Sequence, residues 1–184
     1  GGTHHAFSDR GEAFCLLNDQ AIAAQYLINQ KKCHKILIVD LDVHQGNGTA
    51  EIFQNNADVI TFSMHGQSNY PFRKETSDYD IALPDKTDDT TYLSILQETL
   101  PELLNIHHPD FVFYLAGVDI LGTDKLGKLG CTLEGCKARD SYVLGLCKSL
   151  GIPVQVSMGG GYSPAIKTII EAHANTYRVA RALY

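Results

Sequence analysis

No run of residues in this chain is long and apolar enough to span a bilayer, and acidic residues outnumber basic ones by 21 to 15. The first absence argues against a membrane protein. The second, a formal charge of −6, argues against direct nucleic-acid binding while leaving room for a basic peptide as substrate. The opening Gly1, Gly2, Thr3, with no Met, basic stretch or apolar core, reads neither as a natural amino terminus nor as a signal peptide, so a fragment of a longer protein is expected. The five cysteines, at 15, 33, 131, 136 and 147, form no CxxC pair and no disulfide-scaffold spacing. That points to a reducing compartment, with the cytoplasm as default. Neither GxGxxG nor GxxxxGK[ST] occurs, which weakens a nucleotide-binding reading, and no repeat, low-complexity tract or linker divides the chain. At 184 residues, 44% hydrophobic and 20% charged, it is one domain with a sizeable core.

What is present is an alternation of apolar strand-like runs and helix-like segments. Residues 18–30 are alanine-rich and favour a helix, and 35–43 read as a buried strand. A short helix from Thr49 to Phe53 precedes a second strand, 57–64. Residues 66–90 are polar and weakly patterned, a long surface loop with at most a short strand at 79–83. Asp89 to His107 has helical spacing that Pro101 should kink or divide. Strands at 111–119 and 153–157 follow, the second after a helix from Leu133 to Leu150 closed by Gly151, and a helix from Ala165 to Tyr184 ends the chain. The pattern predicts an α/β fold, a parallel sheet with helices on both faces.

Chemistry gathers at the carboxyl ends of parallel strands, and three of these strands end in reactive residues. In DLDVHQGNG at 40–48, period-two alternation puts Asp40, Asp42 and His44 on one face at the end of a β-branched run. Asp119 ends the strand YLAGVD, and Tyr162 follows the Gly159, Gly160, Gly161 turn. Short right-handed connections bring these ends to one sheet edge. Two carboxylates and an imidazole so placed are costly unless a cation neutralises them, and Asp42, His44 and Asp119 make a three-ligand set for zinc with one position open. The competing reading makes Asp42 a helix cap, His44 a loop residue and Asp119 a turn residue. Tandem His4 and His5 offer a base and an acid near neutral pH, or a plain surface pair. Tyr162 offers a phenol to a developing oxyanion, though glycine-rich turns are routine. The histidines at 34, 65, 107, 108 and 173 read as structural or surface residues, and Cys15 as a wall residue rather than a nucleophile.

GGTHHAFSDRGEAFCLLND, DLDVHQGNGT, YLAGVD and GGGY, in this order, resemble the zinc-dependent histone deacetylase superfamily over nearly the whole chain. HQGNG, SDRG and YPFRKETSDYDIALPD look most like the class IV branch and its bacterial amidohydrolase relatives. The resemblance implies the arginase/deacetylase α/β/α sandwich, incomplete at the amino terminus, with residues 1–184 the carboxyl-terminal portion of a single catalytic domain. The absent part would be a missing segment or a second chain. It implies Asp42, His44 and Asp119 as zinc ligands (iron being an alternative), His5 as general base, His4 as its electrostatic or acid partner and Tyr162 as donor to the carbonyl oxygen. By the same resemblance Asp40 orients His4, Asn47 orients His5, Ala13, Phe14 and Gly160 line the substrate tunnel, and a structural potassium ion sits near Asp40 and Ser63. The implied reaction is hydrolysis of an acyl-lysine peptide or a small N-acyl amine. The rivals are an arginase-like dinuclear manganese hydrolase and an inactive metal-binding scaffold. Two departures stand out: Asn47 replaces the aspartate of some members, and Ala13 stands where glycine is usual.

Overall fold

The computed structural model describes residues 2–184; Gly1, first of the opening glycine pair, lies outside the described residues. Its five strands are β1 (Ile36–Asp40), β2 (Val59–Gly66), β3 (Tyr79–Leu83), β4 (Phe111–Ala116) and β5 (Val154–Met158). They pair in the order β3-β2-β1-β4-β5, all parallel. The chain builds outward from β1 to β3, then crosses back to lay β4 on the other flank of β1. That reversal opens a crevice beyond the carboxyl ends of β1 and β4, where open α/β sheets bind ligands.

Both faces are covered, as continuous apolar strands require. Leu37 and Val39 turn toward a core shared with α3 (Asp89–His107), α4 (Leu133–Leu150) and α5 (Ile166–Leu183). Ile36 and Ile38 turn the other way, against Ala21 and Ala24 of α1 (Asp19–Asn29) and Phe53 of α2 (Asn47–Phe53). Side-chain caps start three of the helices: Asn18, Asp88 and Thr132 accept from the backbone N–H groups of Ala21, Thr91 and Gly135. Among the described residues no helix is long and apolar enough to cross a membrane.

Three expectations are corrected. The first strand stops at Asp40, so Asp42 and His44 lie in the bend beyond it and not in an alternating strand. Short side chains capture the backbone there: Asp40 Oδ1 accepts from Asp42 N–H (3.2 Å) and Asp42 Oδ1 from His44 N–H (3.0 Å), displacing ladder bonds. Secondly, α3 runs undivided through Pro101. Proline removes the N–H that Gln97 carbonyl would accept, and Tyr142 Oη of the neighbouring helix donates to that carbonyl instead (3.3 Å). Thirdly, residues 67–78 are more than a surface loop. Asn69 and Ser77 are buried, Lys74 Nζ donates to the carbonyls of Asn69 and Pro71, and Gln45 makes a two-way amide bond with the Glu75 backbone.

Candidate metal centre and active site

The crevice holds a cavity of about 530 Å³. At its floor lie His4, His5, Asp42 and His44, with Gly159, Gly160 and Tyr162 on one side, Ala13, Phe14 and Cys15 on another, and Asn69, Tyr70 and Phe72 on a third. Phe14 and Phe72 are strongly exposed at the mouth, and the Tyr162 ring lies 6.0 Å from that of Phe14. Ala13 is held at φ 51°, in the left-handed region, which is the physical reason for glycine at such a position.

Asp42, His44 and Asp119 present one ligand atom each within 4.8 Å of one another. Asp42 and Asp119 are fully buried, and the His44 side chain is 12% exposed. Among the described residues this is the one cluster of three or more such groups. Asp119 Oδ1 accepts from Val43 N–H (2.9 Å), while its buried Oδ2 has no well-aligned hydrogen bond and faces only the His44 ring, 3.2 Å from Nδ1. Burial and then the Asp42 charge push Asp119 up to about 7. Burial opposes charge on His44 too, yet its bonds to Asp119 and Asp42 push it up to about 10. Two crowded carboxylates, one with an oxygen that no well-aligned donor satisfies, fit a divalent cation, which would relieve both. Gly160 belongs to the same cluster: its N–H donates to Asp42 Oδ2 (2.7 Å), and a Cβ there would fall 1.9 Å from Asp119 Oδ2.

The tandem histidines reach the floor because their segment is tied down at both ends. Asp19, in the first turn of α1, accepts from the N–H groups of Gly2 and Thr3 and from Thr3 Oγ1. His4 carbonyl accepts from Thr49 N–H of α2, where Gly48 lets Ala6 approach so closely that a Cβ would sit 2.2 Å from its carbonyl oxygen. His4 Nδ1 is 2.6 Å from Asp40 Oδ2, and His5 Nδ1 is 2.7 Å from Asn47 Oδ1. Burial disfavours charge on His4, but Asp40 outweighs it and pushes the ring up to about 9. Burial, then the cation on His4, pushes His5 down to about 3. A charged imidazole therefore stands beside a neutral one, with ring centroids 4.1 Å apart. Asp40 is the backing group of His4 and does not join the metal cluster; it faces Ser63 in register across the β1–β2 ladder.

A buried network, missed in the sequence, holds the loops that carry Asp42 and Asp119. Arg139, fully buried on α4, donates through Nη1 to the carbonyls of Leu41 (3.2 Å) and Gly117 (2.6 Å), next to Asp42 and just before Asp119. Asp140 neutralises it and accepts from Tyr114 Oη and Thr176 Oγ1. A signal exists: Arg139 and Asp140 interrupt the stripe Cys136, Val143, Leu144, Cys147, where an amphipathic helix should be apolar. Arg139→Leu strands the Asp140 charge and should cost about 3–5 kcal/mol in urea unfolding. Arg139→Leu/Asp140→Leu should recover much of that loss. Equal losses in the two variants would show that charge stranding is not the cause.

This fold and site define an α/β protein with a candidate metal centre beside a histidine pair, and the comparisons give its family. The histone deacetylase domain profile matches residues 1–177, and the chain belongs to the histone deacetylase superfamily. It is 48% identical to an uncharacterized protein of Picosynechococcus sp. over all of this chain and 61% of that protein. It is 33% identical to the acetoin utilization protein AcuC of Staphylococcus aureus over 88% of this chain and 44% of that protein. Among solved structures, an acetylpolyamine aminohydrolase from Burkholderia pseudomallei superposes with a TM-score of 0.80 at 28% identity, covering 98% of this chain and 54% of that one. The chain spans about half the length of most of these relatives.

Proposed function

We propose that this chain carries the metal-binding and catalytic portion of a hydrolase that cleaves N-acyl amines, acyl-lysine in a peptide or a small acylated amine, within one deacetylase-like catalytic domain. The observation that carries the reading is the convergence of Asp42, His44 and Asp119 at a cavity that is also lined by His4, His5 and Tyr162. Asp42, His44 and Asp119 would hold Zn2+, with Fe2+ compatible with the same donors. When bound, such an ion polarises the acyl carbonyl and lowers the pKa of a bound water toward about 7.

The chain's own residues supply the rest. His5, neutral and bonded through Nδ1 to Asn47, offers Nε2 to the proton of the attacking water. The same nitrogen returns that proton to the leaving amine, and cationic His4 stabilises the negative charge that develops between the two events. Tyr162 donates its hydroxyl to the carbonyl oxygen. Phe14, Tyr70 and Phe72 wall the acyl-bearing stem and limit water. An arginase-like dinuclear centre needs further bridging carboxylates, whereas Gln45 holds the Glu75 loop and Asn47 holds His5. Five unpaired, buried cysteines suit a reducing, cytoplasmic setting.

The test is a panel of acyl-lysine peptides of increasing chain length, together with an acetylated polyamine, offered to the zinc-loaded chain. Metal-dependent release of free amine supports the reading. Tight metal retention with no hydrolysis of any member would replace it with the inactive metal-binding scaffold.

A further inference from the structure

The neutral amide behind His5 is itself backed by a carboxylate that no part of the reading above uses. Asn47 Nδ2 donates to Glu12 Oε1 at 2.8 Å, while Asn47 Oδ1 faces His5 Nδ1 at 2.7 Å. Glu12 also accepts from Tyr70 Oη at 2.5 Å, and the Tyr70 ring stands edge-on to the His5 ring, 5.0 Å away at 86°. Arg10 Nε lies 3.7 Å from the other Glu12 oxygen. The Glu12 backbone is pinned by a reciprocal pair of hydrogen bonds with Cys15, at 3.0 and 2.9 Å.

Hydrogen-bond chemistry makes this arrangement directional. An ionised carboxylate only accepts, so the Asn47 end that meets Glu12 must be its NH2 group. The amide oxygen is then left for His5, and because it too only accepts, His5 Nδ1 must carry the proton. In a neutral imidazole that leaves Nε2 as a bare acceptor. The Tyr70 hydrogen bond is the foremost influence holding Glu12 below its usual carboxylate range, so it is ionised near neutrality.

We propose that Glu12 is a positioning residue for His5: through Asn47 it sets the ring's tautomer, and through Tyr70 it fixes the ring's lateral wall. Asn47 with Glu12 behind it thus does at one remove what a directly bonded aspartate does, placing a negative charge on the Nδ1 side of the base. The catalytic consequence rests on the hydrolase reading, but the tautomer does not.

The experiment is the two-bond 1H–15N correlation spectrum of the histidine rings in the zinc-loaded chain, with the His5 signals identified by their loss in His5→Ala. The native protein should show His5 as the Nδ1–H form alone. In Glu12→Gln the residue at 12 can turn either end of its amide to Asn47, so both tautomers should appear. kcat should then fall about ten- to a hundredfold, with KM within about twofold. The double variant Glu12→Gln/Asn47→Asp moves the carboxylate beside His5 and lets the glutamine donate to it. That variant should restore the single tautomer and most of kcat, a recovery that a merely structural role for Glu12 would not produce. A folded Glu12→Gln protein that keeps the single Nδ1–H form overturns the proposal, as does a double variant that leaves the tautomers mixed. If the native chain hydrolyses nothing, the spectra still decide the role of Glu12.

Discussion

Asp119→Asn is expected to take the chain from about one divalent ion, measured by elemental analysis after exhaustive dialysis, to essentially none. Asparagine keeps an oxygen to accept from Val43 N–H, so the local backbone bond survives. The other end then presents an NH2 group where Asp119 Oδ2 now lies buried, facing His44 Nδ1 at 3.2 Å. That group repels a cation where the carboxylate attracts one, and the ligand set falls to Asp42 and His44. The position is fully enclosed, so water cannot substitute easily for the missing oxygen. Urea unfolding of the metal-free variant should give a cooperative transition like that of the metal-free native chain, which separates loss of the site from loss of the fold. Full ion content in Asp119→Asn would remove Asp119 from the ligand set.

Tyr162→Phe is expected to lower kcat roughly a hundred- to a thousandfold while leaving ion content unchanged. The substitution deletes one hydroxyl and keeps the ring that packs near Phe14. Nothing in the backbone depends on that hydroxyl: Tyr162 N–H donates to Asp124 Oδ2, and Gly160 N–H donates to Asp42 Oδ2. A selective loss of turnover would therefore report on the donor itself. Turnover within about twofold of the native chain, set against the penalty usual for a lost oxyanion donor, would show that Tyr162 is only a wall of the cavity.

Much of the architecture was legible because it is periodic. The runs at 36–39, 59–64 and 111–116 are rich in β-branched and aromatic residues and buried on both faces, and helix 89–107 carries an apolar stripe behind the Asp88 cap. Errors fell where side chains replace regular backbone bonding. Asp40 and Asp42 end a strand early by accepting from the chain two residues on, and Tyr142 rescues the carbonyl that Pro101 orphans. Neither partner choice has a period to detect.

The candidate site divides in the same way. Asp42, His44, Asp119 and Tyr162 stood out because their residue types are costly or reactive after strands, and His4 and His5 because they form a tandem pair of titratable rings. Glu12, Tyr70, Asp19 and Arg139 did not, since each acts through a partner far away in the chain. The sequence by itself determined the strand-helix alternation, the superfamily and the chemical identity of the residues at the cavity floor. Only the tertiary structure decided that a glutamate faces the amide behind His5, that Ser68, Asn69, Tyr70 and Phe72 wall the cavity, and that a buried arginine ties the loops that carry Asp42 and Asp119. Those outcomes depend on long-range hydrogen-bond partners, and local propensity carries no record of which distant group will satisfy a buried donor.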